Sequence, residues 1–141
     1  MTTETFDQAA ALGILCRAPA AAVKMQAERL LAHNHDVQVL RNRTGLMMLP
    51  MRESVAESDF YLGEVLVAEA HVRMHGHEGY AVCLGRDLEQ ALAIAIIDAV
   101  RCGAGDTTIE AFLVEQAQSL AAEDDVLLQA VAKTRVELET F

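Results

Sequence analysis

Gly85, Arg86 and Asp87 stand between an apolar run, GYAVCL, and a helical pattern, LEQALAIAIIDA, that is apolar almost throughout. A glycine that lets the chain turn, a guanidinium and a helix N-terminus together suit the oxygens of a phosphate ester. The same residues also serve structure alone. Gly85 takes a positive φ at a strand end, and Asp87 accepts hydrogen bonds from the first helical N–H groups. Arg86 is then left pointing out of the junction, free to pair. Asp98 is the odd member of the apolar helix. A carboxylate there needs a partner from elsewhere in the fold or from another chain, or its pKa rises.

Other chemistry-bearing residues are more scattered. His71, His75 and His77 gather around an HGHEG turn, but their spacing matches no zinc signature and reads as a solvated turn. His33 and His35 bracket Asn34 just past a helix, where cations favour the dipole. Cys16, Cys83 and Cys102 form no close pair, and each falls in an apolar segment as a small core residue. No GxSxG, Walker sequence or GxGxxG occurs. Arg41, Arg43 and Arg52 surround the first hairpin. They could hold a phosphate or an acidic partner helix, or simply protect an edge with charge.

The chain of 141 residues fits one domain, 1–141, long enough for a core without metal or disulfide staples. Aromatics are 4% and Trp is absent, so Ala, Leu, Val, Ile and Met must build that core. A net charge of −10, from 21 acids and 11 bases, excludes the clustered basic surface that nucleic acid or anionic membrane requires. The segment from Ala104 onward is the most acidic, which suits a solvated helix face or a basic partner. The acidic start, MTTETFDQ, lacks the basic region of a signal peptide, and no apolar window is long enough to span a bilayer. The expected location is the cytoplasm, with reduced thiols.

The elements that must position these residues read as an α+β fold. Thr3 with Glu4 and Asp7 starts a helix to about Cys16, and Pro19 opens a second to about Ala32, giving a helical hairpin over about 3–33. A sheet is expected over about 36–84. DVQVLRNRTGLMMLPMRES reads as two strands around an RNRTG turn. FYLGEVLVAEAHVRM is a third strand, with Leu62, Leu66, Ala68, Ala70, Val72 and Met74 on one apolar face, and GYAVCLG is the fourth. The expectation is a four-stranded antiparallel meander, followed by helices over about 87–140. A long apolar helix, Asp87 to Cys102, comes first and packs on both sides. A region capped by Thr107 or Thr108 follows, which AAEDD divides in two.

In order along the chain, TGL at Thr44–Leu46, Arg52, FYLGEVLVAEAHV from Phe60, Gly79-Tyr80, GRD, the helix ending at Asp98-Ala99 and the tail TRVELETF resemble the PhnG family, from about Leu12 to Phe141. The HGHEG turn departs from that pattern. The resemblance implies a subunit of the bacterial carbon–phosphorus lyase core complex, working with PhnH-, PhnI- and PhnJ-like subunits in organophosphonate catabolism. That complex uses ATP to form an alkylphosphonate ribose 5-triphosphate with release of adenine. It also implies no catalytic residues and no cofactor in this chain. The chain would then be an accessory part of a multi-subunit transferase, able to self-associate when isolated. Gly85, Arg86, Asp87, Asp98 and Arg135 are the residues expected to serve assembly or structure. The alternative is a stand-alone anion or phosphate-ester binding module or enzyme using Arg86 and Asp87.

Overall fold

The computed structural model describes residues 5–33 and 36–136. Along the chain run α1 (Gln8–Arg17), α2 (Ala20–Leu31), β1 (Val37–Arg52), β2 (Asp59–Met74), β3 (His77–Leu84), α3 (Leu88–Cys102) and α4 (Thr107–Ala132). The helical hairpin forms as its sequence directs. Asp7 caps α1 by accepting the Ala10 N–H at 2.7 Å, and Pro19 fixes the entry to α2. The first helix starts later than the suggested Thr3: residues 5–7 are not helical, because the extended Asp7 caps the helix and moves its start to Gln8. Thr3 itself, His35 and the tail beyond Val136 lie outside the described residues.

The sheet is antiparallel but has three strands, in the order β1-β2-β3, not four. RNRTG is not a turn. Arg41 to Gly45 pair with His71 to Val67 in the middle of one 16-residue strand. Gly45 is not among the glycines with positive φ, so nothing bends the chain there. Arg41 and Arg43 instead find Glu69 on the neighbouring strand. The chain reverses later, at ESVAES, where the Glu53 carboxylate accepts the N–H groups of Val55 and Ala56 at 2.7 and 2.6 Å. Between β2 and β3 the turn is tighter than HGHEG suggests. His75 and Gly76 both have positive φ, as a two-residue hairpin requires, and His77 and Glu78 already belong to β3.

Ala68, Ala70, Val72 and Met74 of β2 and Ala81 and Cys83 of β3 face the helices and are buried. α3 lies across that face and also packs against α2 and α1. It is 15 residues long and buries Ile94, Ile96 and Ile97, each worth about 1.5–3 kcal/mol. Leu88 and Glu89 at its start are exposed, so the apolar character does not run its whole length. The longest helix is α4, with 26 residues. AAEDD does not divide it, and Asp106, not Thr107 or Thr108, caps it by accepting the Thr108 N–H at 2.7 Å. α4 meets the body chiefly through α1, with Glu110 paired to Arg101 of α3 at 2.6 Å and Thr108 accepting from Gln26 of α2 at 3.1 Å.

Gly79 sets how closely sheet and helix approach. A Cβ there would lie 2.0 Å from the Ala95 carbonyl oxygen and 2.6 Å from the Ala99 nitrogen. β3 therefore runs directly on the α3 backbone, and alanines along α3 leave room for it.

Candidate functional site

The β3–α3 junction is built as its three residues suggest. Gly85 has φ +98°, and its N–H donates to the Leu66 carbonyl at 2.9 Å, ending the strand. Asp87 caps α3, accepting the Gln90 N–H at 3.0 Å and the Lys24 ammonium at 2.9 Å. Lys24 and the helix N–H together hold the Asp87 carboxyl below its ordinary pKa, and Asp87 in turn raises that of Lys24. The N-terminus of α3 thus already carries an anion from its own chain. Arg86 is exposed and forms no hydrogen bond or ion pair among the described residues. Leu84 and Leu88, two positions to either side along the chain, are exposed as well.

Asp98 does find partners within the fold. It is 4% exposed. It accepts the Tyr80 N–H at 3.1 Å and the Gln8 amide at 3.2 and 3.3 Å, with the Cys102 thiol 3.7 Å away. The close approach at Gly79 brings the neighbouring Tyr80 N–H within reach, so Asp98 ties β3 and α1 to α3. Arg135 is exposed just past α4, its N–H donating to the Ala132 carbonyl at 3.2 Å. The five residues are not brought together: Asp98 is internal, Gly85 to Asp87 lie at a sheet end, and Arg135 follows the far end of α4.

Of the cysteines, Cys83 is buried and Cys16 half-buried, but Cys102 is exposed, against expectation. Burial is the first cause raising all three thiols above their ordinary pKa, the wrong direction for a nucleophile. Among the described residues no group of His, Cys, Asp or Glu is placed to hold a metal ion. No helix there is long and apolar enough to cross a membrane.

The sheet face away from the helices carries a lattice of charge. Glu69 accepts from Arg43 at 2.9 Å, from the Tyr80 hydroxyl at 2.9 Å and from Arg41 at 3.3 Å. These bonds, Arg43 first, lower its pKa to about 2. Glu78 pairs with Arg73 at 2.8 Å and His71 at 3.0 Å. Arg41 and Arg43 thus share the one Glu69 carboxylate within the sheet, and Arg52 lies 3.7 Å from Asp59.

Beyond this lattice the surface changes character. β3 stops where Leu84 meets Val67, while β1 and β2 continue as a two-stranded arm to Arg52 and Asp59. Leu46, Met48 and Leu66 lie on its helix-side face beyond α3, and Met47 and Leu49 on the other. Leu46 is 67% exposed, Tyr61 64% and Leu62 61%. At the tip, Pro50, Met51, Arg52, Asp59, Phe60 and Tyr61 line a hollow of about 450 Å³. Arg86 sits at the root of the arm, since Gly85 bonds Leu66. Sequence reasoning missed the arm by spending the turn at RNRTG. The available signal was ESVAES between LMMLPM and FYLGEVLV, two runs apolar on both alternating faces.

Fold and surface define a mixed helix-and-sheet protein with one face charged and self-satisfied and an apolar two-stranded arm left uncovered. The chain belongs to the PhnG family: the family model described as phosphonate metabolism protein PhnG matches residues 7–141. It is a protein of phosphonate metabolism. No curated protein matches it in sequence.

Proposed function

We propose that the chain is an accessory, non-catalytic subunit of the carbon–phosphorus lyase core complex. In this reading it docks on PhnH-, PhnI- and PhnJ-like subunits in the cytoplasm. It is needed there for the ATP-dependent formation of an alkylphosphonate ribose 5-triphosphate with release of adenine. The observation that carries the reading is the arm. Contiguous apolar surface of this extent on a chain of net charge −10 is typical of a protein–protein contact. Arg86 at its root fits a charge-assisted contact at the rim of the same interface. The test is co-expression with tagged sister subunits, comparing the native chain with Leu62→Asp. Because Leu62 is mostly exposed, the variant should keep its stability within about 0.5 kcal/mol and lose co-purification. A native chain that remains a soluble monomer and ignores the PhnI-like subunit would overturn the proposal.

A second reading, an anion-binding module, rests on the unpaired Arg86. Against it, Asp87 occupies the adjacent helix N-terminus and is itself held by Lys24. Calorimetry of the isolated chain with ATP and ribose phosphates decides it: clear binding without partners favours the module.

A further inference from the structure

The far end of α4 is a second uncovered apolar element, separate from the arm. The stripe by which α4 packs on the body contains Ile109, Leu113 and Leu120, all buried. It ends at Asp124, which Arg17, the last residue of α1, holds at 2.7 Å. Past that point α1 is finished, but the helix continues to Ala132. The same stripe goes on as Leu127 and Val131, spaced i, i+4, with Leu128 beside them. These three are 62%, 57% and 64% exposed.

The charges around this overhang are arranged symmetrically about Gln129. Glu123 and Asp125 stand six and four positions before it, and Lys133 and Arg135 four and six positions after it. Leu127 lies two before and Val131 two after. All four charged residues are exposed and form no salt bridge among the described residues. Two such helices laid antiparallel, with Gln129 opposite Gln129, set Leu127 against Val131 of the other copy. Glu123, on the edge of the apolar stripe, then lies level with the turn that follows the other copy's α4, held by the Arg135 N–H to Ala132 carbonyl bond, and Arg135 on that turn is its opposite charge at each end of the seam. This is the self-complementarity that a two-fold contact demands. Each copy's overhang fills the place that α1 vacates at Asp124 on the other.

We propose that the α4 overhang is a homodimer contact, and that its occupant is the same segment of a second copy of this chain. The helical overhang, residues 125–132, is only about 12 Å long. The contact is therefore weak, below the roughly 1,000 Å² of a stable interface, and shows at roughly tens to hundreds of micromolar protein. It does not depend on the accessory-subunit reading, which is tested by co-purification through the arm.

Sedimentation equilibrium of the full chain over that concentration range tests it. The native chain should dimerise. Leu127→Glu should weaken the dimer about tenfold or more, while Leu62→Asp on the arm leaves it unchanged. Glu123→Arg and Arg135→Glu should each weaken it alone, because each brings like charges together. An equimolar mixture of those two variants should pair again, since opposite charges then meet at both ends. Circular dichroism checks that each variant remains folded. A native chain that stays monomeric overturns the proposal. So does a dimer lost in Leu62→Asp but kept in Leu127→Glu, which would place the contact on the arm. So does a mixture that fails to recover, or a Leu127→Glu chain that dimerises normally but no longer binds a sister subunit.

Discussion

Replacing Gly79 by alanine adds one methyl group at the tightest point between β3 and α3. That carbon would sit 2.0 Å from the Ala95 carbonyl oxygen, where Cβ atoms essentially never come closer than 3.0 Å. The atoms in its way, Ala95 O and Ala99 N, are backbone and cannot rotate aside. β3 must retreat from α3 by about 1 Å or more, an overpacking strain of roughly 1–3 kcal/mol. The same retreat stretches the bond from the Tyr80 N–H to Asp98, now 3.1 Å, past bonding distance. Leaving those groups unsatisfied costs about 1–3 kcal/mol more. The expected loss is roughly 2–6 kcal/mol, a large part of a typical domain's stability. Gly63→Ala is the control, because a Cβ at that strand position meets nothing within 4 Å. It should be neutral or stabilise by about 0.4–1 kcal/mol through the unfolded chain. Urea unfolding followed by circular dichroism should show a lower midpoint for Gly79→Ala and an unchanged or higher one for Gly63→Ala, at unchanged slope. If Gly79→Ala unfolds at the native midpoint, the close packing of β3 on α3 is wrong.

Arg86→Ala should leave the isolated chain's stability within about 0.5 kcal/mol of native, since no partner is lost, and weaken co-purification with sister subunits; unchanged assembly would remove Arg86 from the interface. Glu69→Gln tests the charged sheet face through pH. Because the carboxyl's pKa falls from an ordinary 4.5 to about 2 on folding, its contribution is fully present above pH 4.5 and is lost as pH falls toward 2. The stability gap between native and Glu69→Gln chains should therefore close across that window, and a gap independent of pH would refute the Arg43–Glu69–Arg41 cluster.

What was legible in the sequence was local. The Pro19, Gly85 and Asp87 signals act within a few residues, and α2 and the β3–α3 junction form where those residues say, whereas α1 starts at the Asp7 cap and not at Thr3. The failures were decided by distant residues. RNRTG carries a turn signal, yet Glu69, opposite it on β2, recruits Arg41 and Arg43 into a strand. AAEDD reads as a break, yet Arg17 on α1 holds Asp124 within a continuous helix. Asp98 plainly needed a partner, but Gln8 lies 90 positions away and the Tyr80 N–H is reachable only through the Gly79 contact. The family was legible only through the ordered resemblance along the chain, since no local motif carries it.

The two ends of one sheet differ in what they leave to solvent. Around Glu69 and Glu78 the face turned away from the helices is polar, and every carboxylate there meets a guanidinium, so water can cover it without loss. Past Gly45 and Val67, where β3 ends, both faces become apolar together. Folding does not require that change. The core formed by α3 on β2 and β3 is closed without the arm, and exposed leucine and methionine there contribute little to it. An exposed, untwinned pair of strands with two free edges is an aggregation hazard that soluble proteins ordinarily blunt with charge. Here the charge stops where the arm starts, leaving Arg52, Asp59 and Glu64 as its few charged side chains. Such a surface is of the kind that protein–protein contacts cover, which is what the proposed docking of the arm would do.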